Sequence, residues 1–224
     1  MIKAVFIDYT GTLMQEQSEY AMQMAAMIAK NSDLTNIKDI FKIWWGLIKK
    51  FETDSYADQY LTEDEILTRA IAVLQQEHGL TIDAERFRSL AHKFWSKSPI
   101  FEDVKEFFSK CRQPIYIITN NGSEYVNVFL QDHDLHCAGI ICGDMVKAYK
   151  PHKELFEKAL EISGCNARET LHIGDSVASD VRGAQSMGIN ACLLDRTMTH
   201  SEQQPDSCFV CSSLTEVLPL LETI

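Results

Sequence analysis

Two apolar segments of this 224-residue chain end on carboxylates, and a turn of small residues follows each. Residues 2–7 lead to Asp8, and residues 171–174 lead to Asp175, with Asp180 five residues further on. Short apolar runs of this kind are typical of buried parallel strands. Open α/β sheets bind ligands at the carboxyl ends of such strands. We therefore expect these carboxylates to meet at one edge of a sheet, although an aspartate that ends a strand can also be purely structural.

Carboxylates that meet at one edge need a cation, because they otherwise repel one another. Oxygen-only ligands on a site open to phosphate suit Mg²⁺, which keeps several waters and binds through one or two carboxylates. A second positive charge can come from Lys150, which precedes Pro151. Beside Asp8, this lysine would lower the pKa of the carboxyl and neutralise a bound phosphate. The other reading of Lys150 is an ordinary solvated surface lysine.

A third segment, residues 117–122, runs from an apolar strand into a polar turn and a helix start. Thr119 offers a hydroxyl there, and the turn offers free backbone N–H groups, which together form an anion cradle. An ordinary helix N-cap has the same composition. Gly11 and Thr12 allow a tight turn that brings further N–H groups close to the same place. The segment therefore becomes a candidate phosphate-binding turn only in combination with Asp8.

The elements that position these residues fall into two groups, of which the first is helical. Between residues 15 and 97, apolar residues recur at helical spacing and no strand interrupts them. Thr62 and Glu65 form a capping-box signature, and Asp83 can cap a further helix. The segment therefore predicts four amphipathic helices. The apolar stripes of the first two comprise Tyr20, Met24, Met27 and Ile28, and then Ile37, Ile40, Phe41, Trp44, Leu47, Ile48 and Phe51.

The second group alternates strands with helices, which implies right-handed βαβ crossovers and a mostly parallel sheet. Helices are expected around residues 101–111, after Gly122, at 153–163 and at 180–187. A last helix is expected after residue 211, with Ser213 and Glu216 as its capping box. The predicted strands are the opening segment and residues 115–119, 139–142, 170–174, 191–194 and 208–211.

Composition narrows the class of protein. The chain is 46% hydrophobic and 24% charged, as expected for a globular protein, and its formal charge is −11. Such a surface repels phosphate backbones, so we expect no nucleic-acid partner. No apolar run reaches the roughly 20 residues that span a bilayer, and no leader precedes the first strand, so we expect a cytoplasmic protein without a membrane partner. Seven scattered cysteines fit reduced thiols, and Cys208 and Cys211 alone do not make a metal site.

Asp8, Thr119, Lys150 and Asp175 occur in the order of the four motifs of the haloacid dehalogenase superfamily, which the whole chain resembles. That resemblance implies an α/β, Rossmann-like core of residues 1–14 and 98–224. It also implies an inserted, all-helical C1-type cap of residues 15–97, between the first and second motifs.

The resemblance further implies roles for individual residues. Asp8 would be the nucleophile that forms an aspartyl-phosphate, with Thr119 and Lys150 as the other catalytic residues. Mg²⁺ would be bound by Asp8, by Thr10 through its backbone carbonyl and by Asp175, with Asp180 in the outer shell. The residues expected to bind the phosphate are Thr12, Thr119, Asn120 and Lys150.

Thr10 departs from the family pattern. The usual first motif is DxDGT, and its second aspartate protonates the leaving oxygen, whereas this chain has DYTGT. A threonine hydroxyl does not titrate near neutrality, and losing a general acid typically costs about 10²–10⁴-fold in rate. We therefore expect a substrate with a low-pKa leaving group, or an acid supplied by the cap. The motif is similar to the DKTGT of P-type ATPases, which work without such an acid.

The sequence thus predicts a Mg²⁺-dependent phosphohydrolase that acts on a small phosphorylated substrate. Three alternatives stay open: a metal-independent dehalogenase, a phosphonate hydrolase with Lys49 or Lys50 as a Schiff-base lysine, and a weakly catalytic protein that binds phosphate ligands or a protein partner. Candidate specificity residues in the cap are Tyr20, Trp45, Lys49 and Arg69. The sequence does not determine the substrate or the oligomeric state.

Overall fold

The computed structural model describes residues 1–197 and 208–224 and contains a parallel sheet with the strand order β3-β2-β1-β4-β5-β6. Every neighbouring pair of strands is parallel, as the alternation of strands and helices predicts. The central position of β1 places its carboxyl end between those of β2 and β4. The strands are β1 (Ala4–Ile7), β2 (Ile115–Thr119), β3 (Gly139–Cys142), β4 (Thr170–Gly174), β5 (Asn190–Leu194) and β6 (Phe209–Cys211).

Helices cover both faces of this sheet. Side chains of a strand alternate between faces, so Val5 and Ile7 of β1 pack into one apolar cluster and Phe6 packs into another. The first cluster includes residues of the helices at 104–110, 123–133 and 214–223, and the second includes residues of the helices at 153–163 and 182–186. The chain therefore has the expected α/β, Rossmann-like core. The helices of this part are α5 (Val104–Lys110), α6 (Ser123–His133), α7 (Gly143–Val146), α8 (Lys153–Ser163), α9 (Arg182–Ser186) and α10 (Leu214–Thr223).

Four helices lie between β1 and α5, as the apolar stripes predict. They are α1 (Glu19–Asn31), α2 (Ile37–Asp54), α3 (Glu63–His78) and α4 (Ala84–Lys97). The capping box of Thr62 and Glu65 is present, and Asp83 accepts hydrogen bonds from two backbone N–H groups at the start of α4. Both predicted helix starts are therefore confirmed.

The helical segment leaves the sheet and returns to it at adjacent points. The backbone N–H of Gln15 donates to the carbonyl of Pro99 over 2.8 Å, and Met14 forms an isolated bridge with Ile100. The buried Tyr9, which follows Asp8, donates its hydroxyl to the carbonyl of Trp95 in α4 over 2.8 Å. The four helices are consequently held over the carboxyl end of β1.

Two local predictions differ from the structure. Glu216 does not form a capping box with Ser213; its carboxylate accepts instead from the backbone N–H and the hydroxyl of Ser212, one residue earlier, over 2.7 and 2.9 Å. The helix expected at residues 180–187 begins sooner, as a π-helical turn over Val177–Val181 that continues into α9. The hydroxyl of Ser176 accepts from the N–H of Ser179 and caps this turn.

Within residues 1–197 and 208–224, no helix is long and apolar enough to cross a membrane. No disulfide joins the cysteines of those residues.

Candidate active site

Lys150 links the carboxylates of Asp8 and Asp180. Its Nζ lies 2.6 Å from Oδ1 of Asp8 and 2.5 Å from Oδ1 of Asp180, and only 3% of its side chain is exposed. Burial disfavours the charged lysine, but Asp180 and Asp8 more than compensate and raise its pKa above the usual value. Lys150 is therefore a buried cation at the edge of the sheet, and the surface-lysine reading is wrong.

Asp180 is held by three donors. Besides Lys150, Nε2 of His172 lies 3.0 Å from its Oδ1, and the backbone N–H of Ser176 donates to its Oδ2 over 3.1 Å. Burial alone would raise the pKa of Asp180, but Lys150 and His172 lower it to about 2. Both of its oxygens are occupied, so Asp180 is suited to orienting Lys150.

A group of three carboxylates surrounds the end of β1. Oxygens of Asp8, Asp175 and Asp180 lie within 4.8 Å of one another. Burial raises the pKa of Asp8 to about 6 and, together with repulsion from Asp8 and Asp180, raises that of Asp175 well above its usual value. One lysine does not compensate three carboxylates, and the all-oxygen donor set fits a hard divalent cation such as Mg²⁺. The arrangement therefore has the charge and the ligands of a metal site.

Gly11 is needed for this arrangement. Its φ angle is +84°, and a Cβ at this position would lie 2.2 Å from Oδ2 of Asp175. The turn after Asp8 can consequently approach the second carboxylate only if residue 11 has no side chain.

The turn after β2 contacts both Thr10 and Lys150. Oδ1 of Asn120 accepts from the backbone N–H of Lys150 over 2.7 Å. The hydroxyl of Thr119 accepts from the N–H of Asn121, and Oδ1 of Asn121 accepts from the hydroxyl of Thr10 over 2.7 Å. Asn121 thus orients the Thr10 hydroxyl, and no sequence motif predicts this contact.

Glu63, the first residue of α3, joins the helical segment to the same turn. One carboxylate oxygen accepts from Nδ2 of Asn121 over 2.6 Å, and the other accepts from the backbone N–H of Gly122 over 2.9 Å. Burial raises the pKa of Glu63 well above its usual value, and these two hydrogen bonds oppose the shift. Its position beside Thr62 signalled a helix start, and nothing in the sequence signalled this contact.

Glu52, near the end of α2, is a second acidic group that faces the site from the helices. Burial raises the pKa of Glu52 to about 7, against the opposing effects of a hydrogen bond from Asn120 and of the charge on Lys150. No sequence pattern distinguished it from the other charged residues of α2.

A cavity of about 310 Å³ lies between the carboxylate group and the helices. Its size suits a small ligand. Predicted site residues that line it are Asp8, Thr10, Thr119, Asn120, Lys150, Asp175 and Asp180. The helices contribute Met24, Trp44, Trp45, Ile48, Glu52, Glu63, Ile66, Phe94 and Trp95. Of the four candidate specificity residues, Trp45 lines the cavity, and Tyr20, Lys49 and Arg69 do not.

Thr12 lies outside this cavity. It is fully buried, its hydroxyl has no hydrogen-bond partner among residues 1–197 and 208–224, and its carbonyl accepts from Arg196 over 2.8 Å. Its predicted contact with phosphate stays a prediction. Lys49 and Lys50 are exposed, and Lys50 pairs with Asp54 over 2.5 Å, so neither reaches the cavity as the phosphonate-hydrolase alternative requires.

Comparison with known proteins agrees with this arrangement. A family model of haloacid dehalogenase-like hydrolases matches residues 2–188. The chain is 26% identical over 205 residues to the HAD-hydrolase YfnB of Bacillus subtilis, covering 88% of this chain and 85% of YfnB. It is 38% identical over 200 residues to a glyceraldehyde 3-phosphate phosphatase of Pyrococcus abyssi, covering 84% and 79%. A phosphoglycolate phosphatase of Aliivibrio fischeri is 24% identical over 216 residues, with coverages of 92% and 89%.

Solved structures share the fold. The magnesium-bound structure of Bacillus subtilis YfnB superposes with a TM-score of 0.79 at 24% identity, covering 99% of both chains. L-2-haloacid dehalogenase from Xanthobacter autotrophicus superposes with a TM-score of 0.81 at 16% identity, covering all of both chains. The order of the motifs, the sheet and the family match agree, and the chain belongs to the haloacid dehalogenase-like hydrolases.

Proposed function

We propose that this hydrolase is a Mg²⁺-dependent phosphatase that removes phosphate from a small phosphorylated metabolite through an aspartyl-phosphate on Asp8. The observation that carries the proposal is the position of Lys150 between Asp8 and Asp180. Asp175 lies close enough to both carboxylates to share a metal ion with them. The similarity to the phosphatases of Aliivibrio fischeri and Pyrococcus abyssi supports the same conclusion.

The reaction requires two displacements at phosphorus. A carboxylate oxygen of Asp8 attacks the phosphorus, and the bond to the leaving oxygen breaks with its electron pair remaining on the leaving group. Water then attacks the phosphorus of the aspartyl-phosphate, which releases phosphate and restores Asp8. Lys150 offsets the negative charge that would otherwise keep a carboxylate away from a phosphate.

Mg²⁺ would be held by the carboxylates of Asp8 and Asp175 and by the backbone carbonyl of Thr10, with Asp180 in the outer shell. When bound, the cation supplies positive charge to the phosphoryl oxygens and offsets the repulsion among the carboxylates. A metal-independent dehalogenase would have no use for this group of carboxylates, which disfavours that alternative.

The turn after β2 would bind the phosphoryl oxygens through the Thr119 hydroxyl and Asn120. Residues 15–97 would act as a cap that closes over the bound substrate, and Glu63 is its contact with that turn. In the proposed enzyme, closure excludes water and completes the cavity.

The leaving group is expected to have a low pKa. The hydroxyl of Thr10 donates to Asn121 and does not titrate near neutrality, so it cannot protonate an alkoxide. An aryl phosphate, acyl phosphate or anhydride has a leaving group that departs without protonation. Such substrates should be preferred over sugar phosphates.

The test is Mg²⁺-dependent release of phosphate from 4-nitrophenyl phosphate by the wild type and by Asp8→Asn. We expect release by the wild type, its loss when EDTA is added, and its loss in the variant. The control is Asp134→Asn, because the side chain of Asp134 is 98% exposed. Equal activity in Asp8→Asn and Asp134→Asn would refute the proposal, and metal-independent release of chloride from 2-chloropropionate would support the dehalogenase.

A further inference from the structure

The cavity has two unlike walls. The wall at the sheet edge carries Asp8, Lys150, Asp175 and Asp180, which belong to the proposed chemistry. The opposite wall, which we call the helical wall, consists of the cavity-lining side chains of α1 to α4. Three tryptophans dominate it, namely Trp44, Trp45 and Trp95. The part of a substrate that is not phosphate must lie against this wall.

The helical wall offers no positive charge. Its charged side chains are Glu52 and Glu63, and Glu16 lines the cavity nearby. Lys150 is the basic side chain of the cavity lining within the described residues, and it already pairs with two carboxylates. A second anionic group on a substrate would therefore enter the cavity unpaired, beside carboxylates that repel it.

Glu63 and Glu52 differ in what they leave for a ligand. Both oxygens of Glu63 accept hydrogen bonds from the turn after β2. Glu52 is partly buried, lines the cavity and receives a hydrogen bond from Asn120, and the charges that shift its pKa are those of Lys150, Lys49 and Asp8. Burial raises its pKa, so a positive group placed beside it would stabilise the carboxylate.

We propose that the organic part of the substrate is an aromatic ring without a negative charge, which stacks on the tryptophans of the helical wall. A positively charged substituent near Glu52 further strengthens binding and raises kcat/KM. Aromatic faces attract both rings and cations. This inference rests on the proposed phosphatase function and names its substrate class. It also agrees with Thr10, because a phenolate is a leaving group that needs no acid.

The inference separates this chain from some of its relatives. Phosphoglycolate, the substrate named for the Aliivibrio fischeri relative, carries a carboxylate in addition to its phosphate. The helical wall has no partner for that carboxylate, so phosphoglycolate should be a poor substrate here.

The test compares three phenyl phosphates whose para substituents are carboxylate, methyl and aminomethyl, with Mg²⁺ at pH 8. The three leaving groups differ in pKa, which alone changes kcat/KM. A line of log kcat/KM against leaving-group pKa is therefore measured first with uncharged phenyl phosphates, and each of the three values is expressed relative to that line. After this correction, we expect aminomethyl to exceed methyl and methyl to exceed carboxylate. The extremes should differ by about 10- to 100-fold, the size of one charge interaction across several ångströms at an effective dielectric constant near 20.

Two variants test whether Glu52 causes the preference for a positively charged substituent. Glu52→Gln should narrow the spread between the aminomethyl and carboxylate compounds about tenfold. Glu77→Gln, which replaces an exposed glutamate of α3, should leave the spread unchanged. The dissociation constants of the three compounds for Asp8→Asn, measured by calorimetry with Mg²⁺, should follow the same order as the turnover.

The outcomes are distinct. Turnover of all three compounds without this order, or a preference for the carboxylate, would overturn the inference and leave the phosphatase intact. Phosphoglycolate turned over faster than the methyl compound would overturn it as well. If none of the three compounds is turned over in the presence of Mg²⁺ and none binds, the result contradicts the proposed function, and the inference falls with it.

Discussion

The two walls of the cavity are built on opposite principles. At the sheet edge, Lys150 bonds to Asp8 and Asp180, and the backbone and His172 fill the remaining positions on Asp180. On the helical wall, three tryptophans and Glu52 line the cavity, and Glu52 receives a hydrogen bond from Asn120. One wall is densely charged and fixed by short contacts, and the other is apolar with a carboxylate left for a ligand.

The difference shows how chemistry and specificity are divided between the two parts of the chain. The charged wall comes from the ends of parallel strands, whose geometry the sheet determines. The apolar wall comes from helices, whose hydrogen bonds to the sheet edge include those of Trp95 with Tyr9 and of Glu63 with the turn after β2. Substitutions on the charged wall should therefore abolish turnover of every substrate, and those on the apolar wall should change which substrate is preferred.

The largest effect is expected from removing the cation of the charged wall. Lys150→Ala leaves Asp8 and Asp180 without their common partner, and breaking a buried pair in this way costs about 3–5 kcal/mol of stability. Turnover of 4-nitrophenyl phosphate should fall by about 10²–10³-fold, because a preorganised charge at the reacting group is lost. Urea denaturation and steady-state kinetics measure the two effects.

The matched control for that substitution is Lys153→Ala. Lys153 lies three residues away and pairs with Glu157 over 2.7 Å, but its side chain is 61% exposed. It should be close to wild type in both measurements. A Lys150→Ala protein with wild-type stability and turnover would show that the charged wall does not depend on its lysine.

Thr10→Asp should supply the acid that this wall lacks. Hydrolysis of alkyl phosphates should rise by about 10²-fold or more, because a general acid contributes about 10²–10⁴-fold to such reactions. Aryl phosphates, whose leaving groups depart unprotonated, should change little. Thr10→Asn has the same shape without the acid and should show no gain. Equal behaviour of the two variants toward alkyl phosphates, in folded protein, would contradict this account of Thr10.

The charged wall should also make stability depend on pH and on Mg²⁺. Burial raises the pKa of Asp8 to about 6 and that of Asp175 well above its usual value, so the folded, metal-free protein binds more protons than the unfolded chain. Its free energy of unfolding should therefore fall as pH rises from about 4 through 6. The low pKa of Asp180 acts only below pH 4.

Mg²⁺ should reverse this loss, because it binds the deprotonated carboxylates. At free Mg²⁺ of 100 times its dissociation constant, the gain at pH 7 should be about 3 kcal/mol, and it should be smaller at pH 5. Thermal unfolding with Mg²⁺ and with EDTA at both pH values measures it. The same gain at pH 7 in Asp175→Asn would place the cation elsewhere.

The smallest effect is expected at the contact between the two walls. Glu63→Gln replaces an acceptor of two hydrogen bonds by an amide whose nitrogen faces a donor, which costs about 1–3 kcal/mol. KM should rise about tenfold with a smaller change in kcat, because the proposed cap would close less readily over the substrate. Glu77→Gln is the control. An unchanged KM would show that Glu63 does not hold the helices over the site.

The charged wall could largely be predicted from the sequence. Asp8 and Asp175 each end an apolar strand, and parallel strands bring such ends together without knowledge of any side-chain contact. Strands β2, β3 and β4 and helix α8 have the predicted bounds for the same reason, because their apolar runs are short and clearly interrupted.

The apolar wall could not be predicted in this way. Glu52 and Trp45 belong to a helix whose amphipathic pattern predicts that it packs, but not against what. Glu63 signalled a helix start, and its bonds to Asn121 and Gly122 depend on how the helices sit over the sheet. Thr12 has the residue type expected for phosphate binding, yet the turn at Gly11 directs it into the protein interior.

The proposed mechanism requires that Asp8 is phosphorylated during turnover. It is tested most directly by quenching the enzyme during hydrolysis of 4-nitrophenyl phosphate, reducing with borohydride and sequencing the peptides by mass spectrometry. We expect Asp8 to be converted to homoserine only when both Mg²⁺ and substrate are present, and we expect no conversion in Asp8→Asn. Sustained Mg²⁺-dependent turnover by Asp8→Asn, with no modification at any aspartate, would contradict it.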